Sequence, residues 1–274
     1  VLIDSYAKIN LYLEVLNKRI DGYHEIETVF CTIDLHDSLK FVLTKKPEIQ
    51  ILANIPELSS SDNLVYKIAT RICNDFSVNS GLQILLEKRI PISAGLGGGS
   101  SNAAMTFVAL NKMLNLDMTE DYVHNTAREY GSDLNFFFLG GRARGSGKGD
   151  FVTPLPEIDP LDLLLVKPAF GVSSQEAYQM IDLKAKTYHQ EKSWYNRLEA
   201  GVADRYPAIA MIINELKTLG ATQAMMSGSG STCIGLFADK ALRSKAAGIF
   251  ASQGMWTCET RTIGRKEYQA CFQS

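Results

Sequence analysis

Four of the five residues from Gly95 to Gly99 are glycine, and the run Pro91-Ile92-Ser93-Ala94-Gly95-Leu96-Gly97-Gly98-Gly99-Ser100-Ser101 leads directly into a stretch of helical character. Glycines lack a Cβ, so successive backbone N–H groups in such a loop can converge on one anion. The helix predicted over Asn102 to Leu114 adds its dipole and its unpaired first amides, and Ser100 and Ser101 add hydroxyl donors. The chemistry this suits is phosphate binding. A flexible linker is the other reading of a glycine cluster, but a linker gains nothing from the immediate start of a helix. The loop is neither a dinucleotide fingerprint, since the third glycine is missing, nor a P-loop, since no Lys follows. Gly147-Lys148-Gly149 has the Gly-Lys of a P-loop, yet Gly149 stands where Ser or Thr is required and Arg142 where the upstream glycine belongs. It reads as a glycine hairpin with an exposed lysine.

The elements that must carry this loop follow from periodicity. Ile9, Leu11, Leu13 and Val15 alternate with Lys8, Asn10, Tyr12 and Glu14, which predicts a half-buried strand with a polar, solvated face. After the turn at Asp21-Gly22, the segments 25–35, 38–43 and 49–52 read as further strands. Asp62 is placed to cap a helix from Asn63 to about Phe76, a strand follows at Leu82, Ile84 and Leu86, and Thr119 caps a helix over Glu120 to Tyr130. Phe136-Phe137-Phe138-Leu139 and Phe151-Val152 read as strands around the glycine-rich residues 140–149. Pro154, Pro156 and Pro160 break any ladder and mark a boundary. Beyond it come a buried strand at Leu161 to Val166, a capping box at Ser173 and Glu176, a helix from Pro207 closed by Gly220, and strands at 223–226, 233–237 and 256–262 with a helix capped by Asp239. The prediction is an α+β chain in two domains, residues 1–155 and 156–274, the second with helices on an antiparallel sheet.

Composition narrows the partner. The 274 residues are 46% hydrophobic with a net charge of -2, and no basic run offers a footprint for nucleic acid. Five cysteines at irregular spacing without a CxxC pair argue against a disulfide framework and a structural zinc, and for a reducing compartment. No apolar stretch reaches the roughly 20 residues of a membrane span, and no signal or transit pattern stands at the start. A cytoplasmic protein is expected, bacterial before a mature plastid one, with a small-molecule partner.

Pro91 to Ala104 resembles the second motif of the galactokinase, homoserine kinase, mevalonate kinase and phosphomevalonate kinase (GHMP) superfamily. Ala7-Lys8-Ile9-Asn10-Leu11 and Met226-Ser227-Gly228-Ser229-Gly230-Ser231 resemble its first and third motifs, in the same order along the chain. Asp21-Gly22-Tyr23-His24 narrows the resemblance to the branch on the non-mevalonate route to isoprenoids. Asp62-Asn63-Leu64, Gly131-Ser132-Asp133 and Asn196-Arg197-Leu198-Glu199 agree with it. The resemblance implies an N-terminal domain like the second domain of ribosomal protein S5, a ferredoxin-like C-terminal domain, and ATP-dependent phosphorylation of the 2-hydroxyl of 4-diphosphocytidyl-2-C-methyl-D-erythritol.

The roles it implies are specific. Asp133 takes the proton of the acceptor hydroxyl with Lys8 beside it, since an ammonium favours an ionised carboxylate and stabilises charge growing on the attacking oxygen. Without the resemblance, Lys8 is a solvated strand residue and Asp133 a turn or cap. Asn63, Pro91, Ala94, Gly95, Leu96, Gly97, Gly98, Gly99, Ser100 and Ser101 are implied at ATP. Asn10, Tyr23, His24, Tyr178 and Lys148 are implied at the acceptor, with Tyr23 and Tyr178 on the two faces of the cytosine and His24 on its edge. Ser227, Gly228, Ser229 and Gly230 form a loop closing over the nucleotide. No carboxylate set is dedicated to Mg²⁺, which is expected to arrive on the nucleotide. Two departures stand out: Leu134-Asn135 replaces a small apolar residue and Pro after the base, and Ser231 replaces a Pro in the third motif. Two other functions compete: a GHMP kinase with another acceptor (mevalonate, homoserine or a sugar), and a nucleotide-binding protein that has lost catalysis. Retention of both Lys8 and Asp133 speaks against the second.

Overall fold

The computed structural model describes residues 1–181 and 194–272. The chain opens with β1 (Leu2–Lys18) and β2 (His24–Thr44), a long antiparallel hairpin, then β3 (Ile49–Ala53), α1 (Leu64–Asp75), β4 (Gly81–Glu87), α2 (Gly98–Leu114), α3 (Glu120–Tyr130), α4 (Leu134–Leu139), β5 (Arg142–Ser146) and β6 (Phe151–Pro154). There follow β7 (Asp162–Lys167), α5 (Ser174–Gln179), β8 (Tyr195–Asn196), α6 (Glu199–Arg205), α7 (Ala208–Thr218), β9 (Gln223–Met226), β10 (Cys233–Leu236), α8 (Lys240–Ser252), β11 (Trp256–Arg261) and α9 (Arg265–Ala270). No helix among the described residues is long and apolar enough to cross a membrane.

The first sheet runs β3-β4-β2-β1-β8, with β5 on the far half of β2 and β6 on β5. α1, α2 and α4 cover it, burying Ile68, Phe107, Phe136 and Phe137 against Phe30 and Phe41. The second sheet is antiparallel throughout in the order β11-β7-β10-β9. Taken in chain order its strands lie 4-1-3-2, the ferredoxin-like arrangement in a two-domain α+β fold. Leu163-Leu164-Leu165-Val166 is buried throughout because β7 is covered on both sides. Leu164 and Val166 face Ile209, Ile212 and Phe250 under the helices, while Leu163 and Leu165 pack with Ile9, Leu11 and Ile33 of the first sheet. The two sheets therefore share an apolar seam, which fixes how the halves face each other. The C-terminal helix α9 crosses back, placing Tyr268 in the first core with its hydroxyl on the Phe137 carbonyl.

Several expectations need correction. Phe136 to Leu139 lies in helix α4, not a strand; four consecutive apolar residues, two fully buried and two half-buried, carry no periodicity, and packing overrides the aromatic β-preference. The strands expected at 25–35 and 38–43 are one strand, β2, whose register slips between Tyr6↔His36 and Lys8↔Thr32. Polar Asp37 interrupts its apolar pattern, yet Asp37 is fully buried. The cap of α1 is Asn63, whose Oδ1 accepts from Val65 N at 2.9 Å, rather than Asp62. α2 begins at Gly98, inside the glycine run, rather than at Asn102. The face of β1 expected to be solvated is covered: Lys8, Asn10 and Tyr12 are all buried.

Candidate active site

A cleft of about 1290 Å³ opens between the glycine loop, the β1–β2 hairpin and α5. Lys8 and Asp133 meet in it, with Lys8 Nζ 3.1 Å from Asp133 Oδ2. The lysine is nearly sealed, 5% exposed, whereas the carboxylate is 31% exposed and faces the cleft. Asp133 occupies the N-cap position of α4 but makes no capping hydrogen bond, so the helix start does not engage the carboxylate that pairs with Lys8 and faces the cleft. Lys8 Nζ also donates to Asn10 Oδ1 at 2.8 Å and lies 5.1 Å from the centre of the Phe30 ring. Asn10 Nδ2 donates to Thr28 Oγ1 at 2.7 Å, and Thr28 in turn donates to the Tyr12 carbonyl. Because a carbonyl can only accept, that chain fixes the Asn10 amide with its oxygen toward Lys8.

The glycine loop lies across β1, with Lys8 N donating to Leu96 O at 3.0 Å. Gly97 caps α2 at φ 68°, and a Cβ there would press on Phe137 and on the Lys8 side chain at 3.0 Å. The first intrahelical bond runs from Ser101 N to Gly97 O, so the amides of Gly98, Gly99 and Ser100 precede the ladder at the positive end of the helix. A Cβ on Gly99 would meet nothing within 4 Å, so the backbone here stands open to the cleft. Ser100 lines the cleft, but Ser101 does not: it is fully buried, and its Oγ accepts from Ser5 Oγ at 2.7 Å. The expected Ser101 hydroxyl donor is thus turned into the core, because the helix begins earlier and rotates that position inward.

Sequence reasoning missed the support beneath the loop. Buried Asp37 accepts from Lys88 Nζ, from the amides of Arg89 (2.7 Å) and Ile90 (2.8 Å), and from Asn102 Nδ2 (2.9 Å). Burial pushes the Lys88 ammonium down from its ordinary range, with Asp37 opposing the shift. Lys88 lines the cleft beside Gly98. No local pattern separates it from its neighbour Arg89; only the fold reveals it.

The third glycine segment seats on the first. A Cβ on Gly95, at φ 71°, would lie 2.1 Å from the Ser227 carbonyl oxygen, and Ser227 Oγ donates to Gly95 O at 3.2 Å. Gly228 and Ser229 reach the cleft, whereas Ser227 and Gly230 hold the loop from behind. Asn196 Nδ2 donates to the carbonyls of Met226 (2.8 Å) and Gly228 (2.7 Å), and Met226 N donates to Glu199. Ser231 is buried and donates to Phe170 O at 2.6 Å, which supplies a tether at the position where Pro was expected. Gly95→Ala should lower unfolding stability by about 2 kcal/mol or more, from positive φ and the carbonyl clash together, and weaken nucleotide binding. Denaturant unfolding and ATP titration would check both.

At the far end, Tyr23, His24, Tyr178 and Lys148 all line the cleft. The rings of His24 and Tyr178 are stacked, 5.1 Å apart and 17° from parallel, so Tyr178 lies on the histidine. Lys148 Nζ sits 4.5 Å above the Tyr23 ring, which is 56% exposed. Burial, with a smaller contribution from Lys18, lowers the His24 pKa below its usual 6.5, leaving a neutral ring with one donor and one acceptor. Burial, then the charge of Asp133, raises the Tyr178 phenol, which stays protonated. Asn63 borders the cleft with its amide already engaged, Nδ2 donating to Leu58 O at 2.8 Å beside its capping bond. Among the described residues no cluster of three or more His, Cys, Asp or Glu could hold a metal.

The family models named GHMP kinases N terminal domain and GHMP kinases C terminal match residues 63–141 and 185–254. A Thermodesulfovibrio yellowstonii protein, 4-diphosphocytidyl-2-C-methyl-D-erythritol kinase, is 38% identical over 94% of this chain and 96% of its own length. A Bacillus subtilis protein of the same name is 35% identical over 86% and 88%. The crystal structure of a 4-(cytidine 5'-diphospho)-2C-methyl-D-erythritol kinase superposes with a TM-score of 0.84 at 29% identity, covering 96% of this chain and all of that one. A mevalonate kinase shares the fold at TM-score 0.74 and 13% identity. With its glycine cradle, its lysine-paired aspartate and relatives matched along nearly their whole length, the chain belongs to the 4-diphosphocytidyl-2-C-methyl-D-erythritol kinases of the GHMP kinase family.

Proposed function

We propose that this chain transfers the γ-phosphoryl group of ATP to the 2-hydroxyl of 4-diphosphocytidyl-2-C-methyl-D-erythritol, with Asp133 as general base. The observation that carries the reading is the Lys8–Asp133 pair at 3.1 Å, beside a glycine-capped helix start. Asp133 accepts the hydroxyl proton as the oxygen attacks the γ-phosphorus, the bond to the β,γ-bridging oxygen breaks, and ADP leaves with that electron pair. Lys8 stabilises negative charge on the attacking oxygen, and Asn10, held by Thr28, positions the acceptor. The amides of Gly98, Gly99 and Ser100 grip the polyphosphate. Mg²⁺ carried in on the nucleotide would supply charge neutralisation at the phosphate oxygens. The same reading divides the chain into units of residues 1–155 and 156–274 that share the cleft.

The cytidyl group belongs at Tyr23, His24 and Tyr178, where Tyr23 offers a face for stacking, neutral His24 a donor and an acceptor, and Lys148 a charge for the diphosphate. Either the His24–Tyr178 stack persists as one wall or Tyr178 swings onto the base. Coupled turnover should release ADP only with the cytidyl acceptor, and cytidine 5'-diphosphate should inhibit; phosphorylation of mevalonate or homoserine instead would refute the assignment.

His24 gives this reading a pH signature. Its folded pKa is below 6.5, so as pH falls through 6.5 the unfolded chain takes the proton first and stability declines until the folded ring is also charged. KM for the cytidyl substrate follows the folded ring, so it should rise as pH falls through the folded pKa, while KM for ATP stays flat. A KM that does not change as the folded His24 ring takes up its proton, followed by NMR titration, would remove His24 from base recognition.

A further inference from the structure

Asn135 stands two residues after Asp133, only 4% exposed, and its amide is used at both ends. Nδ2 donates to the Asp150 carbonyl at 3.0 Å, and Oδ1 lies 3.0 Å from His124 Nδ1. Since the Asp150 carbonyl only accepts, the NH₂ group must face it; Oδ1 then faces His124, whose Nδ1 carries the hydrogen. One side chain thereby ties together α3, the start of α4 and the turn between β5 and β6.

That turn carries Lys148. Asp150 Oδ1 accepts from Lys148 N at 2.9 Å, while its Oδ2 is 3.7 Å from Arg128 Nε. Gly149, between them at φ 98°, lies so near the base that an added Cβ would be 3.9 Å from Asp133 Oδ1. The lysine over Tyr23 and the carboxylate beside Lys8 thus sit on two segments that the Asn135–Asp150 bond ties directly.

We propose that Asn135 is a positioning residue that holds the Lys148 turn in register with Asp133, so that the diphosphate contact and the base are set as one unit. The inference rests on the function proposed above for its kinetic consequences, though not for its structural ones. A buried amide clamping a carbonyl does locally what a rigid proline would do at the start of α4: it removes the freedom of the loop that carries the base. It differs in reaching across to the opposite segment. Losing it leaves the Asp150 carbonyl and the His124 N–H without their partner and frees the turn to shift.

In Asn135→Ala, kcat/KM for the cytidyl substrate should fall by about 10- to 100-fold, the scale of a misplacement near 1 Å, with KM for ATP unchanged within about twofold. Combined with Lys148→Met, the losses should be clearly less than multiplicative. Backbone amide exchange at residues 147–150 should accelerate by about tenfold or more, with exchange in α1 unaffected. Multiplicative losses, equal changes in both KM values, or unaltered exchange at 147–150 would overturn the proposal. Should Asn135→Ala fail to fold, Asn135→Asp keeps the shape and the acceptor toward His124 while removing the donor to the Asp150 carbonyl, and exchange at 147–150 gives the same decision. Absence of turnover by the unaltered protein would count against the proposed function alone, because the exchange experiment needs no substrate.

Discussion

Asp133→Asn should lower kcat by about 10² to 10⁴ with little change in KM for ATP. The substitution keeps the shape of the side chain and its place at the N-cap position of α4, where no capping bond depends on the carboxylate. What it removes is the acceptor for the hydroxyl proton and the negative partner of Lys8 Nζ at 3.1 Å. Because Asp133 is partly exposed to the cleft and the core does not rest on it, the thermal midpoint should stay close to that of the unaltered protein. Steady-state kinetics with unfolding curves would separate the two effects. A folded variant with unchanged kcat would exclude the carboxylate from proton transfer.

Lys8→Met should have the second-largest effect, lowering kcat by about 10² to 10³, the range for loss of a preorganised charge beside a reacting oxygen. Met approximates the lysine stem packed beside Gly97, while the ammonium, with its place over the Phe30 ring, is lost. Asn10 Oδ1 would lose its donor, so part of the loss should appear as a higher KM for the acceptor. Lys8 and Asp133 act on the same proton and the same oxygen. The double variant should therefore be scarcely slower than the worse single one, as expected of groups that work as a unit. Multiplicative effects would mean that the two residues serve separate steps.

Much of this site was legible before the fold. The glycine run and the helix expected after it predicted a loop that opens a helix, as α2 does from Gly98, and Thr119, Ser173 and Asp239 accept from the first-turn amides expected of caps. The failures share a physical cause. Periodicity detects a boundary between buried and solvated faces, so it is silent in a short unbroken apolar run, as at Phe136–Leu139, and misleading where a polar face lines a cleft, as at Lys8 and Asn10. Ser101 was misplaced because a helix beginning four residues early rotates every following side chain. Lys88 and Asp37 could not be paired from sequence, since they lie 51 residues apart and meet only through the β2–β4 ladder. Asn135 looked like a loosening of the base loop; its partners at His124 and Asp150 show a cross-link instead.

The most direct test is a single turnover, with protein in excess over ATP labelled at the γ position, in the presence of Mg²⁺ and 4-diphosphocytidyl-2-C-methyl-D-erythritol. The prediction is stoichiometric ADP with the label recovered as a phosphomonoester on the 2-hydroxyl, absent in Asp133→Asn on the same time scale. Binding of both substrates by the folded protein with no transfer of label, or transfer to mevalonate or homoserine instead, would contradict it.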